Sequence, residues 1–178
     1  MPDIAPRSGV RGEKLREQRL VFYKADMDKI DKLLKDFLQL SNSTCALLVD
    51  KDGHLVSQQG KTTYDTDTVS ALVAGSFAAT KQMAKLLGEE EFSVMFHQGV
   101  RDSIQLILVG DRTILAVIFN DKTTVGMVRL YSAEVSKKLG QLFKDILGRQ
   151  AAATPADAGM GADYTKAAKS KLDDLFGR

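Results

Sequence analysis

The sequence predicts an α+β sandwich, in which one antiparallel five-stranded sheet carries helices on both faces. Two observations favour this fold class. Apolar residues recur at helical spacing in three long segments, and five short apolar runs lie between those segments. The runs within each group are separated only by tight turns, which join antiparallel neighbours. The predicted order is therefore helix, hairpin, helix, three-stranded meander and helix.

The composition fits a folded domain and excludes several classes of protein. The chain has 178 residues, of which 44% are hydrophobic and 27% are charged, and its net charge is only +2. That balance argues against a dedicated nucleic-acid binder. One cysteine excludes an intramolecular disulfide and a cysteine-based zinc site. No signal peptide and no run of about 20 apolar residues is present, so we expect a cytoplasmic protein. We also expect no metal and no cofactor.

The first helix follows a segment that reads as a flexible leader over residues 1–20. That segment combines Pro, Gly and mixed charge with few apolar residues. From Tyr23 an amphipathic pattern begins, and it ends near Ser41 to Ser43. The apolar positions are Met27, Ile30, Leu33, Leu34, Phe37 and Leu38.

A hairpin follows, with strands at Cys45–Val49 and His54–Gln58. The intervening Asp50, Asp52 and Gly53 resemble part of a calcium loop, but the twelve-residue spacing and the closing Glu are missing. A hairpin turn is therefore the better interpretation. Cys45 lies in an apolar strand and is interpreted as a small core residue.

The second helix is predicted from Thr66 or Asp67 to about Leu87, with Gly88 as its stop. Its apolar stripe is interpreted as Val69, Val73, Met83 and Leu87, with Leu72 and Leu86 alongside.

The opposite side of this helix carries small or uncharged residues where Glu, Lys and Arg are usual. Small side chains let another backbone approach closely, which favours a docking surface for a partner. Burial in a larger core, or simple alanine propensity, is the alternative. The residues on this side are Ala71, Ala74, Gly75, Ala78, Gln82 and Lys85.

Three strands and a third helix complete the domain. The strands are predicted at Phe92–Gln98, Ser103–Val109 and Thr113–Phe119, with glycines in the turns. The helix starts after Asn120 to Thr123 and is predicted to end at Gly148. Its buried stripe is Val125, Val128, Val135, Leu139, Leu142 and Ile146.

The C-terminal region reads as a flexible linker over residues 150–163 and a short amphipathic helix over residues 164–178. A helix of about twelve residues is marginal alone in water, so it is expected to dock in a groove of a partner. Permanent packing on its own domain is the alternative. The apolar positions are Tyr164, Ala168, Leu172, Leu175 and Phe176.

No constellation of catalytic residues stands out. Glu89 to Glu91 form a solvated charge run, His97 lacks a nearby nucleophile or carboxylate, and no P-loop is present. An enzyme in its own right is therefore not expected, and no catalytic residue is predicted.

Several stretches together resemble Roadblock-type (dynein-light-chain-like) domains. They are Leu47–Val56, Asp65–Gly75, Phe92–Gln98, Ile107–Phe119 and Thr123–Leu130. The likeness covers about residues 21–147, and the predicted Roadblock domain spans residues 21–149. Within the family the chain is most similar to the bacterial MglB group, partners of the small Ras-like GTPase MglA, through Leu86–Glu89, Phe96–Gly99 and the tail ending Leu172–Phe176.

The resemblance implies a homodimer that stimulates GTP hydrolysis by a small Ras-like GTPase in bacterial cell polarity and motility. The strand that starts at Phe92, with Val94 and Phe96, would pair with its copy, and the second helices would lie side by side. The dimer would reshape the switch regions of the GTP-bound partner without inserting an arginine. Solvated or paired arginines are the preferred interpretation of Arg101, Arg112, Arg129 and Arg149, and a role as an inserted arginine is the alternative. A location at a cell pole is one expectation.

The pattern of the second helix predicts that its six outward residues bind a partner. The resemblance implies that three of them, Ala74, Ala78 and Gln82, face the GTPase. In the tail, Lys171, Leu172, Leu175 and Phe176 would bind a separate surface and tune affinity and exchange. The alternative function is a Roadblock scaffold dimer that only tethers a GTPase or another complex.

Overall fold

All eight elements predicted for the domain form in the part of the chain that the computed structural model describes, which is residues 20–153. They are α1 (Lys24–Ser41), β1 (Cys45–Asp50), β2 (Leu55–Gly60), α2 (Thr66–Leu86), β3 (Val94–Gln98), β4 (Ser103–Val109), β5 (Thr113–Phe119) and α3 (Val125–Ala153). The predicted leader and terminal helix lie outside the described residues, apart from Leu20.

The strands form one sheet in the order β2-β1-β5-β4-β3, and every neighbouring pair is antiparallel. Both predicted motifs are confirmed, since β1 pairs with β2 as a hairpin and β3, β4 and β5 form the meander. The motifs join where β1 pairs with β5, and Leu47 there lies opposite Ala116. Consequently β2 and β3 are the two edges of the sheet.

Helices α1 and α3 cover one face of the sheet. From α1, Ile30 and Leu34 pack with Leu48 of β1 and Leu115 of β5, and all four are fully buried. The sequence predicts this side well because the apolar positions of α1 recur every three or four residues. Phe22, which precedes α1, meets Phe143 of α3 edge to face, with ring centroids 5.9 Å apart.

Helix α2 covers the other face. Val73 and Phe77 of α2 pack on Leu47, Ile114 and neighbouring residues of the central strands. Because successive residues of a strand point to opposite faces, Leu47 and Leu48 belong to different clusters. The predicted arrangement of helices on both faces is therefore confirmed.

Two predicted boundaries are wrong. Strand β3 begins at Val94 rather than at Phe92. Helix α3 does not end at Gly148 but continues to Ala153, and so enters the segment predicted as linker. A glycine inside a helix costs only about 1 kcal/mol relative to alanine, and α3 also carries Gly140 without a break.

Tight turns fix the hairpin. Gly53 adopts a φ of 93° and its N–H donates to the carbonyl of Asp50, while the Asp50 carboxylate accepts from the backbone N–H of His54. At Gly60, with a φ of 95°, an added Cβ would collide with the carbonyl oxygen of Thr44. A side chain is therefore excluded where β2 closes against β1.

Among residues 20–153, none of the helices has the length and apolar run that a membrane span requires.

Candidate partner-binding surface

Helix α2 begins at a capping aspartate. The side chain of Asp65 accepts hydrogen bonds from the backbone N–H and the hydroxyl of Thr68. These bonds stabilise the charged carboxylate and hold the pKa of Asp65 below its usual value. The cap fixes where the helix starts, and hence which residues face the sheet.

The inner face of α2 differs from the predicted stripe. The buried residues include Val73, Phe77 and Ala84, which recur at spacings of four and seven. Met83 and Leu87, which the sequence predicts in the buried stripe, are exposed. The missed signal is the four-residue step from Val73 to Phe77, since a bulky aromatic in phase with an aliphatic residue marks the core side.

Ala74 is the second correction. The sequence predicts it on the outward side, but it is only 7% exposed and lies at the margin of the face that packs on the sheet. Rotation by about 100° per residue puts it next to Val73 on the helix circumference. It is therefore unavailable for direct contact with a large partner.

The remaining predicted residues do share the outward side. Ala71, Gly75, Ala78, Gln82 and Lys85 are all exposed. At Gly75 an added Cβ would meet nothing within 4 Å, so this surface is open. We call these five residues the small-residue face.

The hydroxyls along α2 do not point to a ligand. Ser76 donates to the carbonyl of Leu72 at 2.8 Å, and Thr80 donates to the carbonyl of Ser76 at 3.0 Å. Between Asp67 and Lys81 the helix has no charged residue. The middle of α2 therefore offers an uncharged surface whose polar groups are already bonded.

Large apolar residues flank the small-residue face on one side, which sequence reasoning missed. Leu72 is 65% exposed, Met83 55% and Leu86 88%. With Ala79 they follow spacings of seven, four and three, which is the seam that packs two helices together. We call these four residues the apolar seam.

The edge strand β3 lies beside α2. The hydroxyl of Thr80 on α2 is 3.3 Å from the sulfur of Met95 on β3. Val94 is 45% exposed, and Phe96 is half-buried and stacks on Phe119 with centroids 6.1 Å apart. Phe92, although half-buried, precedes the strand. Within the described residues no strand pairs with the outer edge of β3.

The C-terminal end of α2 meets charged loops. Lys51, in the hairpin turn, binds Glu91 at 2.8 Å and so ties the hairpin to the loop before β3. Arg112 binds Asp52 at 3.4 Å across neighbouring turns. Arg112 is thus a paired arginine, as expected from the sequence.

Cys45 lies at the centre of the core and is fully buried, as predicted. Burial raises the pKa of its thiol, and the hydroxyl of Tyr64 opposes this by hydrogen bonding. Burial likewise raises the pKa of Tyr64. A protonated, buried thiol is a poor nucleophile.

Among residues 20–153, no three His, Cys, Asp or Glu side chains come together as a metal site. The tail residues assigned to partner binding, Lys171, Leu172, Leu175 and Phe176, lie outside the described residues.

The small-residue face and the apolar seam both lie on α2, and the β3 edge lies beside that helix.

Comparison with known proteins agrees with the observed fold. The Roadblock/LC7 domain profile matches residues 29–119. MglB of Myxococcus xanthus is 38% identical, with a TM-score of 0.67, over 71% of this chain and 96% of that chain. The gliding protein MglB of Thermus thermophilus is 30% identical, with a TM-score of 0.67, over 72% and 98%. A third structure, MglB with a tetrameric arrangement, is 28% identical, with a TM-score of 0.69, over 73% and 98%.

Proposed function

The chain belongs to the Roadblock/LC7 domain family, and on that premise we propose that it is a homodimeric regulator of a small Ras-like GTPase of the MglA type. The similarity to two MglB proteins at 38% and 30% identity supports this. The proposed action is stimulation of GTP hydrolysis in the GTP-bound partner. Its proposed place is the cytoplasm, at a cell pole, in bacterial cell polarity and motility.

The observation that carries the proposal is the uncharged middle of the outer surface of α2, next to a sheet edge that no strand of residues 20–153 pairs with. An exposed helix normally presents charged residues, and a soluble protein rarely leaves a long apolar row in water. Leu72, Met83 and Leu86 are such a row. An unpaired edge strand with apolar residues is likewise a template for a second strand.

The surface divides into two roles. The apolar seam and the β3 edge serve self-association, because a seam of spacing three and four suits a second copy of the same helix. The small-residue face serves the GTPase, because Gly75 and Ala78 let a switch segment approach the helix backbone closely. The apolar seam and the small-residue face both lie on α2, so dimerisation would present two small-residue faces on the same side of the joined sheet.

Stimulation would work by positioning. We assign no chemical step to the charged side chains that line a surface pocket at the end of α2, among them Lys51, Lys85 and Glu91. Phosphoryl transfer depends mainly on alignment of the water and on charge stabilisation, which the GTPase's own residues can supply once its switch segments are ordered. The protein would thus be an accessory activator, without an active site of its own.

The tail has a separate proposed role. Lys171, Leu172, Leu175 and Phe176 would bind a second surface of the GTPase, while the preceding segment keeps them near the domain. A covalent tether can raise the effective concentration to the order of millimolar. The tail would therefore tune affinity and exchange rather than the hydrolysis step.

The substitution Ala78→Arg tests the proposed GTPase site. Ala78 is exposed, so an arginine there keeps the fold but holds a partner away from the helix backbone. We expect loss of the stimulated GTP hydrolysis, measured as phosphate release by an MglA-type GTPase with and without the dimer. Ala25→Arg, at an exposed position of α1, is the matched control and should stimulate like the wild type.

Three results would count against parts of the proposal. Full stimulation by the Ala78→Arg variant removes the small-residue face from the site. Binding of the GTP-loaded partner by the wild type without any stimulation replaces activation by tethering, the scaffold function. Equal binding of the GDP-loaded and GTP-loaded forms removes the preference for the GTP-bound state.

A further inference from the structure

A groove runs between β3 and α3, on the face of the sheet opposite α2. Its apolar lining includes Val94, Phe96 and Ile107. Its polar lining consists of Gln105 of β4 with Arg129 and Ser132 of α3. The groove opens along β3, the edge strand. Neither the small-residue face nor the apolar seam reaches it, because both lie on α2.

Two polar atoms of this lining lack partners. Gln105 and Ser132 are each only 1% exposed, and neither Gln105 Oε1 nor Ser132 Oγ has a hydrogen-bond partner among the described residues. A helical serine usually bonds back to a carbonyl one turn earlier, as Ser76 does on α2. A buried polar group without a partner destabilises the fold. The groove is therefore incomplete in the single chain.

The backbone directions of β3 determine which of its residues can bond to a second strand at the free edge. The carbonyl of Ser93 accepts from the N–H of Leu108 at 2.8 Å, so Ser93 directs its backbone groups toward β4. Directions alternate along a strand. Hence Val94, Phe96 and Gln98 direct their N–H and C=O groups toward the free edge.

A second copy paired antiparallel to this edge must use the same three residues. Strands bond through residues that direct their groups at each other, and a two-fold axis normal to the sheet keeps each side chain on its face. Phe96 packs on the α1 and α3 face, whereas Met95 packs on the α2 face. Of Val94, Phe96 and Gln98, only Gln98 has a side chain that donates hydrogen bonds.

We propose that the second copy closes this groove, and that the amide of its Gln98 donates the hydrogen bond that Gln105 Oε1 lacks, with Ser132 Oγ beside it as a further partner. This rests on the proposed homodimer. Gln105 lies directly opposite Phe96 in the sheet. A strand added beyond β3 is thus two strand spacings, about 10 Å, from Gln105. Two extended glutamine side chains span that separation.

The chemistry gives Gln98 and Gln105 a specificity role. Apolar contact between Val94 and Phe96 of the two copies would tolerate several registers of pairing. A buried acceptor favours the register that brings a donor to it and penalises registers that bring none, as a buried polar residue does in a helix pair. The pair would therefore select one register of the β3 edge.

A double-mutant cycle tests the inference on the full chain. We measure the dimer dissociation constant by sedimentation equilibrium for the wild type, Gln98→Leu, Gln105→Leu and the double variant. Gln98→Leu should raise the constant about tenfold, because it leaves the Gln105 acceptor buried without a donor. In the Gln105→Leu background the same change should alter it by less than about threefold.

Gln59→Leu is the matched control, since Gln59 is a half-buried residue of the other edge strand, β2, and should leave the constant unchanged. If Gln105→Leu does not fold by circular dichroism, Ser132→Ala replaces it, and a smaller effect of Gln98→Leu there supports the network. A Gln98→Leu dimer as tight as the Gln59→Leu dimer overturns the inference but leaves the homodimer standing. A wild type that stays monomeric at every concentration overturns the homodimer itself.

Discussion

At the scale of single residues, a rotation of about 100° decides the role of an alanine on α2. Ala74 and Ala78 are four residues apart, and the sequence places both on the outward side. The structure leaves Ala78 exposed and buries Ala74 beside Val73. The difference follows from Phe77, which turns the core side of the helix toward Ala74. Whether an alanine of α2 is buried or exposed therefore cannot be predicted until it is known which side of the helix packs on the sheet.

Arginine at the two positions should separate stability from binding. Ala74→Arg forces a long charged side chain against the sheet and should lower the free energy of unfolding by about 1–3 kcal/mol. Ala78→Arg should change it by less than about 0.5 kcal/mol, as an exposed substitution does. Urea denaturation at one fixed protein concentration measures both. Equal destabilisation by the two variants would contradict the assigned faces.

At the scale of elements, β3 is the least protected strand. It is five residues long, lies at the edge of the sheet and carries the exposed Val94. Natural edge strands usually bear charges, prolines or covers that prevent pairing. β3, which runs from Val94 to Gln98, contains no Asp, Glu, Lys, Arg or Pro, and its most polar exposed residues are His97 and Gln98. Such an edge favours pairing with another strand.

Two proline substitutions in β3 test separately the hydrogen bonds on the free side of the strand and those on the side that faces β4. The N–H of Val94 is directed at the free edge, so Val94→Pro should keep the meander but shift the protein from dimer to monomer in light scattering. The N–H of Met95 is directed at β4, so Met95→Pro removes a bond of the meander and should lower the free energy of unfolding by about 1–3 kcal/mol. A Val94→Pro protein that remains fully dimeric would exclude pairing through this edge.

At the scale of the whole molecule, the two faces of the sheet carry different proposed binding sites. One face carries α1 and α3 and the larger core cluster, whereas α2 covers the other face with a smaller cluster. The α2 side bears the proposed GTPase site, and the opposite side bears the groove that a second copy would close. A dimer formed through β3 would place the two sites of one copy on either side of one extended sheet.

The tail residues give the whole-chain prediction. Phe176→Ala should weaken the affinity for the GTPase about tenfold, because a buried aromatic anchor is lost. The rate of hydrolysis at saturating protein should stay unchanged, since positioning would come from α2. Calorimetry and phosphate release measure the two effects. Thr165→Ala, outside the predicted apolar positions, is the control, and an unaltered affinity of the Phe176→Ala variant would remove the tail from the binding site.

By itself, the sequence determined the order of elements and the fold class, because both depend on local signals. Apolar spacing indicated α1, and short apolar runs with glycine turns indicated the hairpin and the meander. The uncharged middle of α2 indicated a docking surface. The resemblance to Roadblock domains came from the same stretches. Cys45 as a core residue was also readable, since it lies in a continuous apolar run.

The tertiary structure alone decided which way each element turns. The seam of Leu72, Met83 and Leu86 read as core in sequence, because hydrophobicity does not state which apolar side packs on the sheet and which stays in water. The pairing of β1 with β5 made β3 an edge, and no local pattern records that long-range choice. Likewise, the missing partner of Gln105 depends on the packing of α3 over β4, which only the folded chain creates.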